Sequence, residues 1–436
     1  MDKQALQIMK LLVFAHTPPP HHGQSYMVQL MLEGFGGDQK LPSAVPAAEY
    51  GIECYHVNVQ LSDDLEDIGS LRGSKLKRLC NACREALQLR KEFGIDTLYY
   101  VPAPAKASAI IRDWLVLAAL RPFFKKVVLH WHAFGVGFWA RSLVESPGGE
   151  GYKTCPPPIL FGIFDPFARY LTRLSYRGCD LSIALTDYNV SDAEALAPKQ
   201  TVVVPNGIPD QCGDRFPLVL ERRLARLRDR QEKAIPSSEG HPQSVSRDAP
   251  TFDLLFLSHC TREKGLFVAM DAVETVNQDL VRQRANLRVR MVIAGKFQNE
   301  SERAEFHRRA NSLENVSNHS PFMYVGHVDS ERKAVLLAEC DALIFPTFFQ
   351  PETFGLVMVE ALSFGLPVIA TKWRGTSDIL RRDLPSLSIP ENSEDLSRQL
   401  KAAMDFSDFA QLRQSFLERY SLPAFLDSLA RNLKTV

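Results

Sequence analysis

Two successive series of alternating strand-like and helix-length segments constrain this chain more than any single motif. In the first series, short apolar runs rich in β-branched residues occur at 8–15, 54–59, 97–101, 127–132, 181–185 and 201–204. Helix-length stretches such as 25–34, 75–93 and 167–177 lie between several of them. Strands connected through helices pair in parallel, and a parallel sheet needs helices on both faces. The second series runs strand 252–258, helix 265–277 and strand 288–294, then strand 341–346, helix 356–364 and strand 366–370. Between the series, after Pro205-Asn206-Gly207, comes an Arg-, Glu- and Leu-rich stretch in which Phe216, Leu220, Leu224 and Leu227 share a helical spacing. A Ser-, Pro-, Gly- and charge-rich run at 236–250 follows and reads as a flexible linker. At 436 residues the chain exceeds what one core usually serves.

The expected class is therefore α/β with two Rossmann-like domains. Residues 1–208 form the first and 251–418 the second, 209–250 is a partly helical, partly flexible insert, and 419–436 is a C-terminal helix. In open α/β sheets ligands bind beyond the carboxyl ends of the strands, so two such domains suit an enzyme that brings two substrates together.

Charge and cysteine content remove several classes. Lys+Arg and Asp+Glu both total 51, so no overall field favours nucleic acid. Residues 70–126 nevertheless carry twelve basic against four acidic side chains. That surplus fits either an anionic lipid surface or a solvated helix face. Cys80 and Cys83 form a CxxC with no second pair at zinc-ligand spacing, so they read as ordinary thiols. His16, His21 and His22 likewise lack a carboxylate or thiol at ligand spacing, and no metal is expected. The longest apolar run, 127–140, has 14 residues including His130 and His132, fewer than the roughly 20 a spanning helix needs. A cytoplasmic protein is expected, with the inner face of the membrane as the surface it could visit.

The chemistry concentrates between Phe345 and Ala361. A strand end passes through a loop into a helix, with Glu352 before the helix and Glu360 inside it. Backbone N–H groups around Thr353, Phe354, Gly355 and Leu356 would face outward at the helix start, where the helix dipole adds partial positive charge. A diphosphate suits such a position. Glu352 can accept hydrogen bonds from sugar hydroxyls and Glu360 from a ribose diol. The opposing reading is two glutamates on a solvated helix face.

The segments around this pair resemble the retaining GT-B glycosyltransferases, a family that includes sucrose synthases, bacterial glycogen synthases and mannosyltransferases. Glu352 and Glu360 match the ends of its E-x7-E motif, and Gly365-Leu366-Pro367-Val368 matches the strand that follows. Val202 to Gly207 resembles the turn that closes its first domain. Residues 256–265 resemble its donor-domain opening strand and loop, where Lys264 matches a diphosphate-binding lysine. His259 stands where relatives carry an arginine, and Arg262 is three residues on. Residues 291–296 resemble the next strand with its glycine turn at Gly295, and 324–327 the segment bordering the nucleobase. In the first half, the loop ending at Gly23 resembles one that closes over donor phosphates, and His132 matches a histidine placed near the transferred sugar.

The resemblance implies a GT-B fold, two facing Rossmann-like domains with a central cleft, and a C-terminal helix crossing back to the first domain. It implies a retaining transferase acting without metal or cofactor, on a UDP- or GDP-sugar and a glycan or lipid-linked acceptor. Catalytic roles fall to His132, Glu352 and Lys264. Donor binding falls to Gly23, Arg262, Lys264, Gly295, Glu352, Thr353, Phe354, Gly355, Leu356 and Glu360. Two alternatives keep the fold: a non-catalytic nucleotide-sugar-binding partner, and a sugar-nucleotide epimerase or hydrolase.

Overall fold

The computed structural model describes residues 8–19, 23–45, 49–59, 73–102, 104–142, 162–233, 249–317, 320–380 and 387–436. They divide into two compact units. Unit 1 comprises Met1–Ile208 and Tyr420–Val436, and unit 2 comprises Pro209–Arg419.

Unit 1 begins with β1 (Met9–Ala15), whose Leu11 to Phe14 are at most 1% exposed. Such a run, apolar on both faces, marks a central parallel strand. Then come α1 (Gly23–Gly34), β2 (Ile52–Asn58), α2 (Gly73–Phe93), β3 (Thr97–Tyr100) and α3 (Ala107–Leu120). A 3-10 turn at Arg121–Phe123 leads to β4 (Lys126–His130), α4 (Val136–Arg141), a second such turn at Gly162–Phe164, and α5 (Asp165–Tyr176). β5 (Leu181–Ala184), α6 (Asp187–Glu194) and β6 (Thr201–Val203) complete the series. Among the described residues the sheet has six strands in the order β2-β1-β3-β4-β5-β6, every pair parallel. The expected strand at 127–132 ends at His130, which leaves His132 in the loop beyond the carboxyl edge.

A buried carboxylate ties α3 and α5 to this sheet. Asp113 accepts hydrogen bonds from Tyr100 (2.6 Å), Tyr176 (2.5 Å) and the Arg112 guanidinium (2.9 Å). Its charge is thus paired and hydrogen-bonded, the condition under which a buried ion is tolerated.

Unit 2 opens with α7 (Phe216–Lys233) and continues with β7 (Thr251–Leu257), α8 (Leu266–Arg282), β8 (Arg288–Ala294) and α9 (Glu300–Ser317). β9 (Phe322–Gly326), α10 (Ser330–Glu339), β10 (Ala342–Phe345), α11 (Leu356–Ser363) and β11 (Val368–Thr371) follow. α12 (Thr376–Ile379), β12 (Leu387–Ser388), α13 (Ser393–Met404) and α14 (Phe409–Arg419) close the unit. The strand order is β12-β11-β10-β7-β8-β9, again parallel throughout among the described residues.

The insert expected as a connector at 209–250 is, over its described part, a component of unit 2. The buried face of α7 is Val219, Arg223, Leu227 and Arg230, one step around the helix from the leucine stripe read in the sequence. Arg223 is 1% exposed and donates to the carbonyls of Cys340 and Leu337. Arg226 and Arg230 reach Asp341 at 3.0 and 2.8 Å. Arg223 satisfies the open carbonyl end of α10 and the other two neutralise Asp341, so this face of α7 is occupied by its own unit. Residues 234–248 lie outside the described residues.

The final helix, α15 (Leu422–Leu433), belongs to unit 1. The Ile208 N–H donates to the Tyr420 carbonyl at 2.9 Å, and the Leu422 N–H to the Ile208 carbonyl at 2.8 Å. Two glycines admit it. A Cβ on Gly207 would lie 2.5 Å from the Ser421 oxygen, and one on Gly34 2.3 Å from a Leu426 methyl. Because Leu429 is fully buried in this seam, Leu429→Ala should cost unit 1 about 2–5 kcal/mol. Amide exchange should accelerate across 8–208, far away in sequence, and hold steady across 251–419. Acceleration confined to α15 itself would show that the helix is not integral to unit 1.

Candidate functional site

At the carboxyl edge of the second sheet, three loops meet backbone against backbone. Gly265, in left-handed conformation (φ 81°), caps α8, and a Cβ there would lie 2.1 Å from the Pro346 carbonyl oxygen. The Phe348 N–H donates to the Glu263 carbonyl at 2.8 Å, which fixes the loop after β10 on the loop after β7. A Cβ on Gly295 would lie 1.8 Å from the Ser258 oxygen, so the loop after β8 comes equally close. Only glycine permits such approaches.

This docking sets two carboxylate–ammonium pairs along the edge. Lys264 Nζ is 2.5 Å from Glu352 Oε2, both side chains mostly buried, and lies 4.4 Å from the centre of the Phe349 ring. Lys333 on α10 places Nζ 2.6 Å from Glu360 Oε1. Gly355, at φ 79°, precedes α11 with no side chain capping the helix. The backbone N–H groups of Leu356 and Val357 at its first turn therefore have no acceptor within the helix. Thr353 and Phe354 are buried, so the Phe354 ring anchors the loop in the core while the glutamates remain at the edge. Behind the loop, the Trp373 indole donates to the Phe349 carbonyl at 2.9 Å, and Arg374 binds both the carbonyl and the side chain of Gln350.

His259 sits among cations. Its pKa is lowered from the usual histidine value, first by partial desolvation and then by Lys264, His327 and Lys296. The ring therefore stays neutral around pH 7 and can donate or accept, but not hold a charge on a phosphate as an arginine would. Arg262 turns elsewhere. It pairs with Glu305 on α9 at 2.7 Å and stacks over Phe267.

In unit 1, Gly23 is the exposed first residue of α1. His132 is partly buried beyond β4, its ring 4.3 Å from that of His130. His130 is 1% exposed, contacts the Tyr99 hydroxyl through Nδ1, and leaves Nε2 without a partner among the described residues. Its pKa is held well below the usual value, first by burial and then by His132. The loop after β4 is fixed by Asp192, whose carboxylate accepts from the Gly135 and Phe138 N–H groups, each at 2.8 Å. A hollow of about 370 Å³ lies beyond β1, lined by Thr17, Glu33, Asp38 and His56 among others.

The structure thus brings Lys264, Gly295, Glu352, Gly355, Leu356 and Glu360 to one edge of unit 2, and gives Arg262 a partner on α9. It adds Lys333, Lys296 and His327. Lys333 had no distinguishing sequence signal, being one cation on an amphipathic helix; its role depends on α10 packing beside α11. Among the described residues no three His, Cys, Asp or Glu side chains group as metal ligands, and Cys80 and Cys83 are free thiols.

Residues 238–418, almost the whole of unit 2, match the family of glycosyl transferases group 1. Over those residues the chain is similar to a group 1 glycosyl transferase domain. Curated relatives include the D-rhamnosyltransferase WbpZ of Pseudomonas aeruginosa, 29% identical over 146 residues that cover 33% of this chain and 34% of that protein. They also include a GDP-mannose-dependent alpha-(1-6)-phosphatidylinositol dimannoside mannosyltransferase of Mycobacterium tuberculosis, 28% identical over 225 residues, 50% of this chain and 47% of the relative. The matched stretches thus span between a third and a half of those relatives. Among solved structures, Anabaena HepE in complex with UDP aligns over 98% of this chain and 100% of its own, with a TM-score of 0.59 at 16% identity. An Escherichia coli structure titled trehalose-6-phosphate, bound with UDP-2-fluoro glucose, aligns over 98% and 99%, with a TM-score of 0.59 at 11% identity. At such identities the likeness is one of fold, and the fold is GT-B: two Rossmann-like α/β units in one chain.

The neutral histidines give the protein a pH signature. A histidine whose folded pKa lies below its unfolded value contributes no penalty above about pH 6.5, and stability is lost as pH falls below that. His130, His56 and His259 all shift downward. The unfolding free energy from urea melts should fall between pH 7.5 and pH 5.5, by up to about 1.4 kcal/mol per pH unit for each histidine still unprotonated in the fold. His130→Gln should flatten that slope. Equal slopes in variant and wild type would mean that His130 titrates normally.

Proposed function

We propose that the protein is a retaining glycosyltransferase that moves a sugar from a nucleotide-diphosphate donor to an acceptor hydroxyl, without metal or cofactor. The observation that carries this reading is the paired arrangement Lys264–Glu352 and Lys333–Glu360 flanking the uncapped start of α11. Each glutamate is held in position before substrate arrives, by a cation that can be shared with a ligand. Glu360 accepts from the ribose diol, and Glu352 from hydroxyls of the sugar. Lys264 and the first N–H groups of α11 take the charge of the diphosphate, the roles that a metal ion fills elsewhere. Lys296 and His259 border the same edge.

In the step itself, the bond between the sugar's anomeric carbon and the terminal phosphate oxygen breaks. The acceptor oxygen attaches to that carbon on the same face, and its proton passes to the departing phosphate. Charge accumulates on the phosphate oxygens in the transition state, so fixed cations there lower the barrier. His132, at the carboxyl edge of unit 1, positions a sugar hydroxyl.

The named donor of the mycobacterial relative and the UDP in the Anabaena structure support a GDP- or UDP-sugar. Relatives that build O-antigen chains or modify a phosphatidylinositol glycan support a glycan or lipid-linked acceptor. A nucleotide-sugar donor and such an acceptor support a reaction in the cytoplasm, at the inner membrane face.

Titration calorimetry with UDP- and GDP-sugars and the free nucleosides tests the assignments. Glu360→Ala should weaken nucleoside and donor alike by about 1.5–3 kcal/mol. Glu352→Ala should leave nucleoside binding intact and lower turnover. Lys264→Ala should weaken the intact donor far more than the nucleoside. Wild-type affinity and rate in all three would reduce the motif to a solvated helix.

A further inference from the structure

Helix α5 has two apolar faces, and unit 1 uses only one. Ala168, Thr172 and Tyr176, each four residues from the next, are buried. Thr172 accepts from the Trp114 indole at 3.0 Å, and Tyr176 binds Asp113. The opposite side carries Phe167, Tyr170 and Leu174, and the turn just before the helix adds Ile163, in line with them, and Phe164. They are 61, 55, 56, 90 and 65% exposed. Isolated exposed leucines need no explanation, but a contiguous stripe of five large apolar side chains does.

The charges around the stripe select its occupant. Arg169, Arg173 and Arg177 follow one flank at intervals of four. Arg169 is paired with Asp165, the sole carboxylate on the helix. Arg173 donates to the Ala140 carbonyl, and Arg121 to the carbonyls of Ser175 and Arg177. Among the described residues Arg121, Arg173 and Arg177 meet no carboxylate. Arg121 also brings the turn that bears Phe123, 50% exposed, to the carboxyl end of α5. An apolar stripe containing aromatics, edged by uncompensated arginines, is the signature of a helix lying in a membrane interface.

We propose that the outer face of α5 seats unit 1 on an anionic lipid bilayer. The apolar stripe enters the headgroup region, and Arg121, Arg173 and Arg177 meet lipid phosphates. This deepens the reading of a lipid-linked acceptor by naming the surface where it is met.

Co-sedimentation of the full chain with phosphatidylcholine vesicles containing 0 to 40 mol% phosphatidylglycerol tests the proposal. The bound fraction should rise with phosphatidylglycerol and fall in high salt. F167D/L174D, with both sites outward and the urea midpoint unchanged, should reduce binding at least fivefold, while R173Q/R177Q should remove the dependence on phosphatidylglycerol. Binding of F167D/L174D equal to wild type would overturn the assignment. So would a lipid-free dimer that the same double variant converts to monomer, since the stripe would then be an interface between copies. Nucleotide-sugar binding by these variants should match wild type. A loss of vesicle binding with donor affinity intact separates this surface from the donor site, and a failure of donor binding in the unsubstituted chain would strike the proposed function alone.

Discussion

The contact between Gly265 and the Pro346 carbonyl decides the arrangement of unit 2's carboxyl edge. It brings two loops from adjacent strands, β7 and β10, to a separation that any side chain at 265 would forbid. Lys264 precedes that glycine and Glu352 follows that loop, so their pairing is inherited from the backbone. The pair is then reinforced by Phe349 beneath the ammonium and by Trp373 and Arg374 behind the loop. Geometry of this kind keeps charged groups oriented without help from a ligand, which is what electrostatic catalysis asks of a protein.

Much of the fold was legible because a parallel sheet writes itself as short apolar runs. The runs at 8–15, 252–258 and 288–294 correspond to β1, β7 and β8 within a residue or two. The motif residues were legible for another reason: Glu352, Gly355 and Glu360 are close in sequence, so one loop and one helix suffice to place them. Lys333 was not, because its position depends on packing between two helices separated by a strand. The direction of Arg262 was equally hidden, since Glu305 and Phe267, which draw it away, belong to different helices. α7 shows a third limit. Its leucine spacing was visible, yet its buried face includes two arginines, and only the carbonyl end of α10 and Asp341 explain why.

Those arginines also show how the protein handles buried charge. Arg223 is almost fully enclosed, and burial lowers its pKa to about 9. Its guanidinium is offset by carbonyls at a helix end, where partial negative charge is concentrated. Asp113 in unit 1 is the mirror case, a carboxylate enclosed by two phenols and a guanidinium. In each unit such an enclosed ion joins elements that hydrophobic contact alone would leave free to slide.

The hydrogen bonds between Ile208 and the residues around Ser421 have a consequence for how the protein is made. Unit 2 is one continuous stretch of chain, whereas unit 1 needs a helix translated after every residue of unit 2. During synthesis, the first six-stranded sheet must therefore wait with its α15 seam open, Gly34 and Gly207 uncovered, while the second unit emerges and folds. Closing that seam joins residues more than 200 positions apart, a slow, non-local event. The nascent chain is thus most exposed to misassembly late, when most of its structure already exists.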